Sequence, residues 1–167
     1  VFDQLTKTLK ETAMTTRPEK GNSAPQITLP AIPGDEVTLG RGQRGQVVFF
    51  YPKDNTPGCT NEAKDFTALK AEFDALGYDI IGVSKDSLKA HGNFITKQEL
   101  GVTLASDPDG DACEAFGVWV EKKMYGKTYM GIERSTFLIS VSGKLEEVWR
   151  KVRVKGHAQA VLEAARG

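Results

Sequence analysis

The sequence predicts an α/β fold, a central mixed sheet with helices on both faces. Three observations carry that expectation. The short apolar runs Val47-Val48-Phe49-Phe50 and Ile80-Ile81-Gly82-Val83 have the length and composition of buried strands. Each is followed by a segment with helical features. The chain then closes with a hairpin pattern and a last helix, so strands and helices alternate as a layered α/β domain requires.

The elements follow in order. Residues 21–33, with their Asn, Ser and Pro, form a lead-in in which Gln26-Ile27-Thr28-Leu29 reads as a short strand. Glu36-Val37-Thr38-Leu39 alternates and reads as a second. Gly40-Arg41-Gly42-Gln43-Arg44-Gly45 spells the dinucleotide pattern Gly-x-Gly-x-x-Gly, but that motif should follow a strand and open a helix. Here it runs into the strand Gln46-Val47-Val48-Phe49-Phe50, so a strand-to-strand loop is expected. Phe66, Leu69, Phe73 and Leu76 keep helical spacing, and Gly77 ends that helix. Residues 79–84 are a buried strand. Residues 87–99 form a helix capped by Asp86 or Ser87. Residues 102–105 make a short strand and residues 110–116 a short helix. Residues 135–140, a turn at Ser142-Gly143 and residues 145–152 make a hairpin, and residues 158–165 a closing helix.

With 167 residues the chain suffices for one domain with its own core. Residues 21–167 are assigned to it. Residues 1–20 form an extension in which Phe2, Leu5 and Leu9 allow a short helix, and Met14 is a candidate native start. No basic n-region and long apolar stretch mark a secretory signal. The 22 acidic and 22 basic residues balance, which gives no electrostatic case for nucleic acid or a membrane partner. Two distant cysteines are no disulfide framework, and two histidines far from them are no zinc site. A cytoplasmic, reducing location is expected, with no metal and no cofactor.

The segment Tyr51-Pro52-Lys53-Asp54-Asn55-Thr56-Pro57-Gly58-Cys59-Thr60 carries the chemistry. Thr56 followed by Pro57 reads as a helix N-cap and first helical position. Cys59 then lies in the first turn, where unpaired N–H groups and the positive end of the helix dipole favour a thiolate. The bland alternative is an inert buried cysteine.

Pro52, Thr56 and Cys59 form Pro-x-x-x-Thr-x-x-Cys, and here the chain resembles the peroxiredoxins. The longer run from Phe50 to Ala63 is similar to their bacterioferritin-comigratory, or Q-type, branch. Gly131-Ile132-Glu133-Arg134-Ser135-Thr136-Phe137-Leu138-Ile139 matches the strand carrying that family's active-site arginine. Smaller matches are Val83-Ser84-Lys85-Asp86-Ser87, Leu104-Ala105-Ser106-Asp107 and Phe116-Gly117-Val118-Trp119. The resemblance implies a thioredoxin-like fold. It also implies a thiol-dependent peroxidase in which Cys59 attacks hydrogen peroxide or an organic hydroperoxide and becomes a sulfenic acid. A thioredoxin- or glutathione-type thiol would restore it, in a monomer or weak homodimer.

For the other residues the resemblance stands beside a structural alternative. Thr56 would offer its hydroxyl to thiolate and peroxide, or serve only as an N-cap worth about 1 kcal/mol. Pro52 would shield the cysteine from water, or simply end a strand. Arg134 would stabilise the thiolate and hold the peroxide, or be a solvated arginine beside Glu133. Glu62 would orient Arg134, or answer the helix dipole.

Two departures bear on the cycle. Q-type members often carry a resolving cysteine five or thirty-six residues after the nucleophile, where this chain has Lys64 and Ile95. Lys64 is either an added positive charge near the thiolate or a solvated lysine. Cys113 is the remaining thiol, either an apolar filler under Phe116 and Val118 or an unusual resolving cysteine needing a Cα–Cα distance within about 7 Å. A one-cysteine cycle is the expectation. A Cys-x-x-Cys oxidoreductase is disfavoured by Glu62 at the third position after Cys59, and a non-catalytic redox sensor stays open.

Overall fold

A computed structural model describes residues 17–167; the helix suggested by Phe2, Leu5 and Leu9 and the start at Met14 lie outside them. Nine strands are described: β1 (Ile27–Ile32), β2 (Glu36–Leu39), β3 (Gly45–Phe50), β4 (Tyr78–Ser84), β5 (Thr103–Ser106), β6 (Trp119–Met124), β7 (Lys127–Ile132), β8 (Ser135–Ile139) and β9 (Leu145–Trp149). The helices are α1 (Pro57–Ala68), α2 (Lys70–Leu76), α3 (Leu88–Gln98), α4 (Asp111–Ala115) and α5 (His157–Arg166). Seven strands form one mixed sheet in the order β2-β1-β5-β4-β3-β8-β9. β3 pairs parallel with β4 and antiparallel with β8, while β4 pairs parallel with β5.

Every residue of β3 is buried, as its unbroken apolar run requires of a central strand. Side chains alternate across the sheet and divide the core in two. On one face Val48, Phe50, Ile81, Val83, Ala105, Phe137 and Ile139 pack with Ala112 and Cys113 of α4 and with Phe116 and Val118. On the other, Val47, Phe49, Ile80, Leu104 and Leu138 pack with Cys59, Ala63 and Phe66 of α1, Phe73 of α2, Phe94 of α3 and Val161 of α5. Helices therefore lie on both faces, with only short α4 among the described helices on the first. Phe66 stacks on Phe49 at 4.8 Å between ring centroids, fixing α1 to the central strand.

Gly82 lies where this packing is tightest. A methyl there would stand 2.7 Å from Phe49 Cζ and 2.9 Å from Leu104 Cδ2. Gly82→Ala is expected to lower stability by about 1–3 kcal/mol, read as a reduced urea midpoint at unchanged slope.

Two expectations need correction. The single helix through Phe66 and Leu76 is broken: Leu69 has φ −99° and ψ 5°, and Leu76 is exposed. The Thr67 hydroxyl donates to the Ala63 carbonyl at 2.8 Å, a back-bond of the kind that bends helices. Gly77 does end α2 in a left-handed conformation. The β6–β7 hairpin was absent from the sequence-based assignment. Tyr125 and Gly126, at φ 53° and 76°, form its two-residue turn, and left-handed φ at both positions matches the twist of paired strands.

Candidate active site

The end of β3 delivers the chain into the site. Tyr51 still bonds to β4 through its amide and the Val83 carbonyl at 3.1 Å. Pro52 and Lys53 are exposed, Asp54 is buried, and Asn55 takes a left-handed φ of 61°. Thr56 is the N-cap residue in extended geometry and Pro57 the first helical residue. The Thr56 side chain does not cap: its hydroxyl donates to the Lys53 carbonyl at 2.8 Å, within the turn. The first-turn amides of α1 thus donate no bond to Thr56 Oγ1, and Cys59, in that turn, is 1% exposed.

Arg134 reaches Cys59 from the β7–β8 junction. Its Nη2 donates to Cys59 Sγ at 3.3 Å and its Nη1 to Glu62 Oε1 at 2.8 Å. Cys59 and Glu62 are three apart on α1, so both face the same side and one planar guanidinium spans them. Gly58 makes room, since a Cβ there would stand 3.2 Å from Nη2. Burial draws the Arg134 pKa down, but Glu62 and Cys59 more than offset it and the net shift is upward.

Glu62 is buried, and its Oε2 has no hydrogen-bond partner among the described residues. Desolvation lifts its pKa from 4.5 to about 7, against the opposing pull of Arg134. Arg134 and Glu62 are therefore brought together across 72 residues of sequence.

Lys122 of β6 was missed. Burial and the charge of Arg134 lower its pKa, with Glu133 and Cys59 acting in the opposite sense, which places its ammonium in the field of the site. It follows from the β6–β7 hairpin, so no local sequence signal marked it. Lys64 is exposed, and Ile95 packs against the core face that holds Cys59. His157 bonds Thr136 Oγ1 at 2.8 Å, and burial with Arg134 brings its pKa down to about 4.

Cys113 is fully buried under Phe116 and Val118, in the core on the opposite face of the sheet from Cys59. Burial and the Asp107 carboxylate push its thiol well above the ordinary range. Both cysteines are free. Among the described residues no cluster has the makings of a metal site, and no helix is long and apolar enough to cross a membrane.

The chain compares closely with known proteins. The AhpC/TSA family model matches residues 20–148. Peroxiredoxin Bcp of Xanthomonas campestris is 55% identical over 133 residues, covering 78% of this chain and 82% of that protein. A structure from work on the alkyl peroxide reduction activity of the Xanthomonas campestris bacterioferritin comigratory protein, with a trapped intermediate or ligand, superposes with a TM-score of 0.79. It is 50% identical and covers 84% of this chain and 90% of that one. A cysteine-to-serine mutant of Xylella fastidiosa PrxQ gives a TM-score of 0.84 at 38% identity, over 90% of this chain and 97% of that one. With its thioredoxin-like sheet and the Cys59–Arg134 pair at the start of α1, the chain belongs to the AhpC/TSA family, in the Bcp or Q-type branch of the peroxiredoxins.

Proposed function

We propose that Cys59 is the nucleophile of a thiol-dependent peroxidase running a one-cysteine cycle. The observation that carries this reading is the Arg134 guanidinium, 3.3 Å from a sulfur in the first turn of a helix. A charged donor and the helix amides favour negative charge on that sulfur. Sγ attacks one peroxide oxygen, and an S–O bond forms as the O–O bond breaks. The departing oxygen takes a proton and leaves as water or an alcohol. A donor thiol then condenses with the Cys59 sulfenic acid, releasing water and leaving a mixed disulfide. A second thiol frees Cys59 and carries the disulfide away.

The position of Cys113 across the sheet, with an unfavourable thiolate, favours an external donor over an internal disulfide. A thioredoxin- or glutathione-type thiol in the cytoplasm fits that need, and the chain works as a monomer or weak homodimer. Pro52 is assigned to shielding Cys59 from water, from its place in the loop that leads into α1. Substrates are hydrogen peroxide and organic hydroperoxides.

Thr56 is assigned to the peroxide, its hydroxyl turning from the Lys53 carbonyl when substrate enters. Thr56→Val is expected to cost about 1 kcal/mol of stability and slow Cys59 oxidation more than about tenfold. Stability loss alone, by denaturation and stopped-flow, would reduce Thr56 to a turn residue.

Peroxide consumption with glutathione or thioredoxin as donor tests the whole reading. Wild type and Cys113→Ser should turn over many equivalents, and Cys59→Ser none. A single stoichiometric oxidation without turnover would mark a sensor instead.

A further inference from the structure

We propose that Asp54 and His91 are positioning residues for the Cys59 reaction, locking the loop that precedes α1 to the sheet. This rests on the peroxidase reading of Cys59. Pro52, Lys53 and Asn55 are exposed, yet Asp54 among them is 7% exposed. Its carboxylate turns inward between two buried side chains. Tyr51 Oη donates to Oδ1 at 2.6 Å, and His91 Nδ1 lies 2.7 Å from Oδ2. Its amide donates to Asp86 Oδ2 at 3.0 Å, and Asp86 Oδ2 also accepts from Ser84 Oγ at 2.6 Å.

Donor counting fixes the protons. His91 Nε2 lies 2.9 Å from the Ala105 carbonyl, which only accepts, so Nε2 carries hydrogen. Nδ1 faces a carboxylate oxygen, so one proton lies between Asp54 and His91 whichever of them formally holds it. His91 is fully buried, and Asp54 Oδ1 and Oδ2, Tyr51 Oη and both ring nitrogens of His91 all have partners.

The network ties four elements together. His91 comes from α3, Ala105 from β5, Tyr51 from the end of β3, and Asp86 from the β4–α3 loop. The turn it holds has one side-chain bond of its own, from Thr56 Oγ1 to the Lys53 carbonyl, and passes through Asn55 at φ 61°, a left-handed conformation that asparagine adopts more readily than most residues with a side chain. Thr56 follows at once and starts the helix that carries Cys59. The lock thereby sets where the first turn of α1 meets Arg134, and a shift of about 1 Å in a reacting geometry can cost about 10²-fold in rate.

The test compares two reactions of Cys59 in the full chain, oxidation by hydrogen peroxide and alkylation by iodoacetamide. Peroxide chemistry needs the aligned site, whereas alkylation needs only the thiolate and access. Asp54→Asn keeps the lock, its Oδ1 accepting from Tyr51 and its amide donating to a neutral His91. It is expected to oxidise within about threefold of wild type. Asp54→Ala is expected to oxidise about 10²-fold more slowly with alkylation within about threefold. If Asp54→Ala does not fold, Tyr51→Phe decides, with an expected loss of about tenfold in oxidation alone. The proposal is overturned if Asp54→Ala matches wild type, if Asp54→Asn is as slow as Asp54→Ala, or if oxidation and alkylation fall together. It is also overturned if Tyr51→Phe stands in and oxidises normally. A wild type indifferent to peroxide would overturn the peroxidase reading instead.

Discussion

Arg134→Gln is expected to slow oxidation of Cys59 by hydrogen peroxide by about 10²–10³-fold, the loss seen when one preorganised donor to developing charge is removed. The substitution takes away the Nη2 donor at 3.3 Å from Sγ and the positive charge shared with Glu62. It also leaves the buried Glu62 carboxyl without Arg134, its one side-chain partner among the described residues, and a buried polar group left unpaired costs about 1–3 kcal/mol. Rate and stability must therefore be measured on the same samples, by stopped-flow oxidation of the folded protein and by thermal melting. Arg134→Lys separates charge from shape. An ammonium keeps the charge but lacks the planar fork, so only part of the rate should return. A loss below about tenfold in folded Arg134→Gln would remove the guanidinium from the mechanism.

The second large effect is on stability against pH, through Glu62. Its folded pKa is raised from 4.5 to about 7 by burial, so between those values the folded chain holds a proton that the unfolded chain has released. Stability from this group is therefore fully present below pH 4.5 and is lost as pH rises through 7. A shift of that size corresponds to about 3 kcal/mol. Glu62→Gln has no proton to lose. The stability of wild type relative to Glu62→Gln is expected to fall by about 3 kcal/mol across this window, measured by urea denaturation at several pH values. Parallel profiles for the two proteins would show that Glu62 ionises normally.

The parts of the molecule legible in sequence are those set by near neighbours. The strand Val47-Val48-Phe49-Phe50, the Thr56-Pro57 helix start and Cys59 in the first turn each follow from a few adjacent residues, and the structure has them there. The β6–β7 hairpin escaped because its strands are mostly exposed, with Ile132 alone among their residues buried and so no buried face to impose a period of two. Lys122 went unseen with it. Glu62 could be matched with Arg134 only through the family resemblance, because its burial depends on a partner 72 residues away. The Asp54–His91 pair, 37 residues apart, left no trace at all. The seating of Cys113 across the sheet from Cys59 depends on strand order, which no local pattern encodes.

The most direct measurement is nonreducing intact-mass analysis after one equivalent of hydrogen peroxide, with wild type, Cys59→Ser and Cys113→Ser side by side. A one-cysteine peroxidase gains one oxygen on Cys59 in wild type and Cys113→Ser alike, and Cys59→Ser stays unmodified. A loss of two hydrogens that needs both thiols would contradict the one-cysteine cycle, and an unmodified Cys59 would contradict the peroxidase itself.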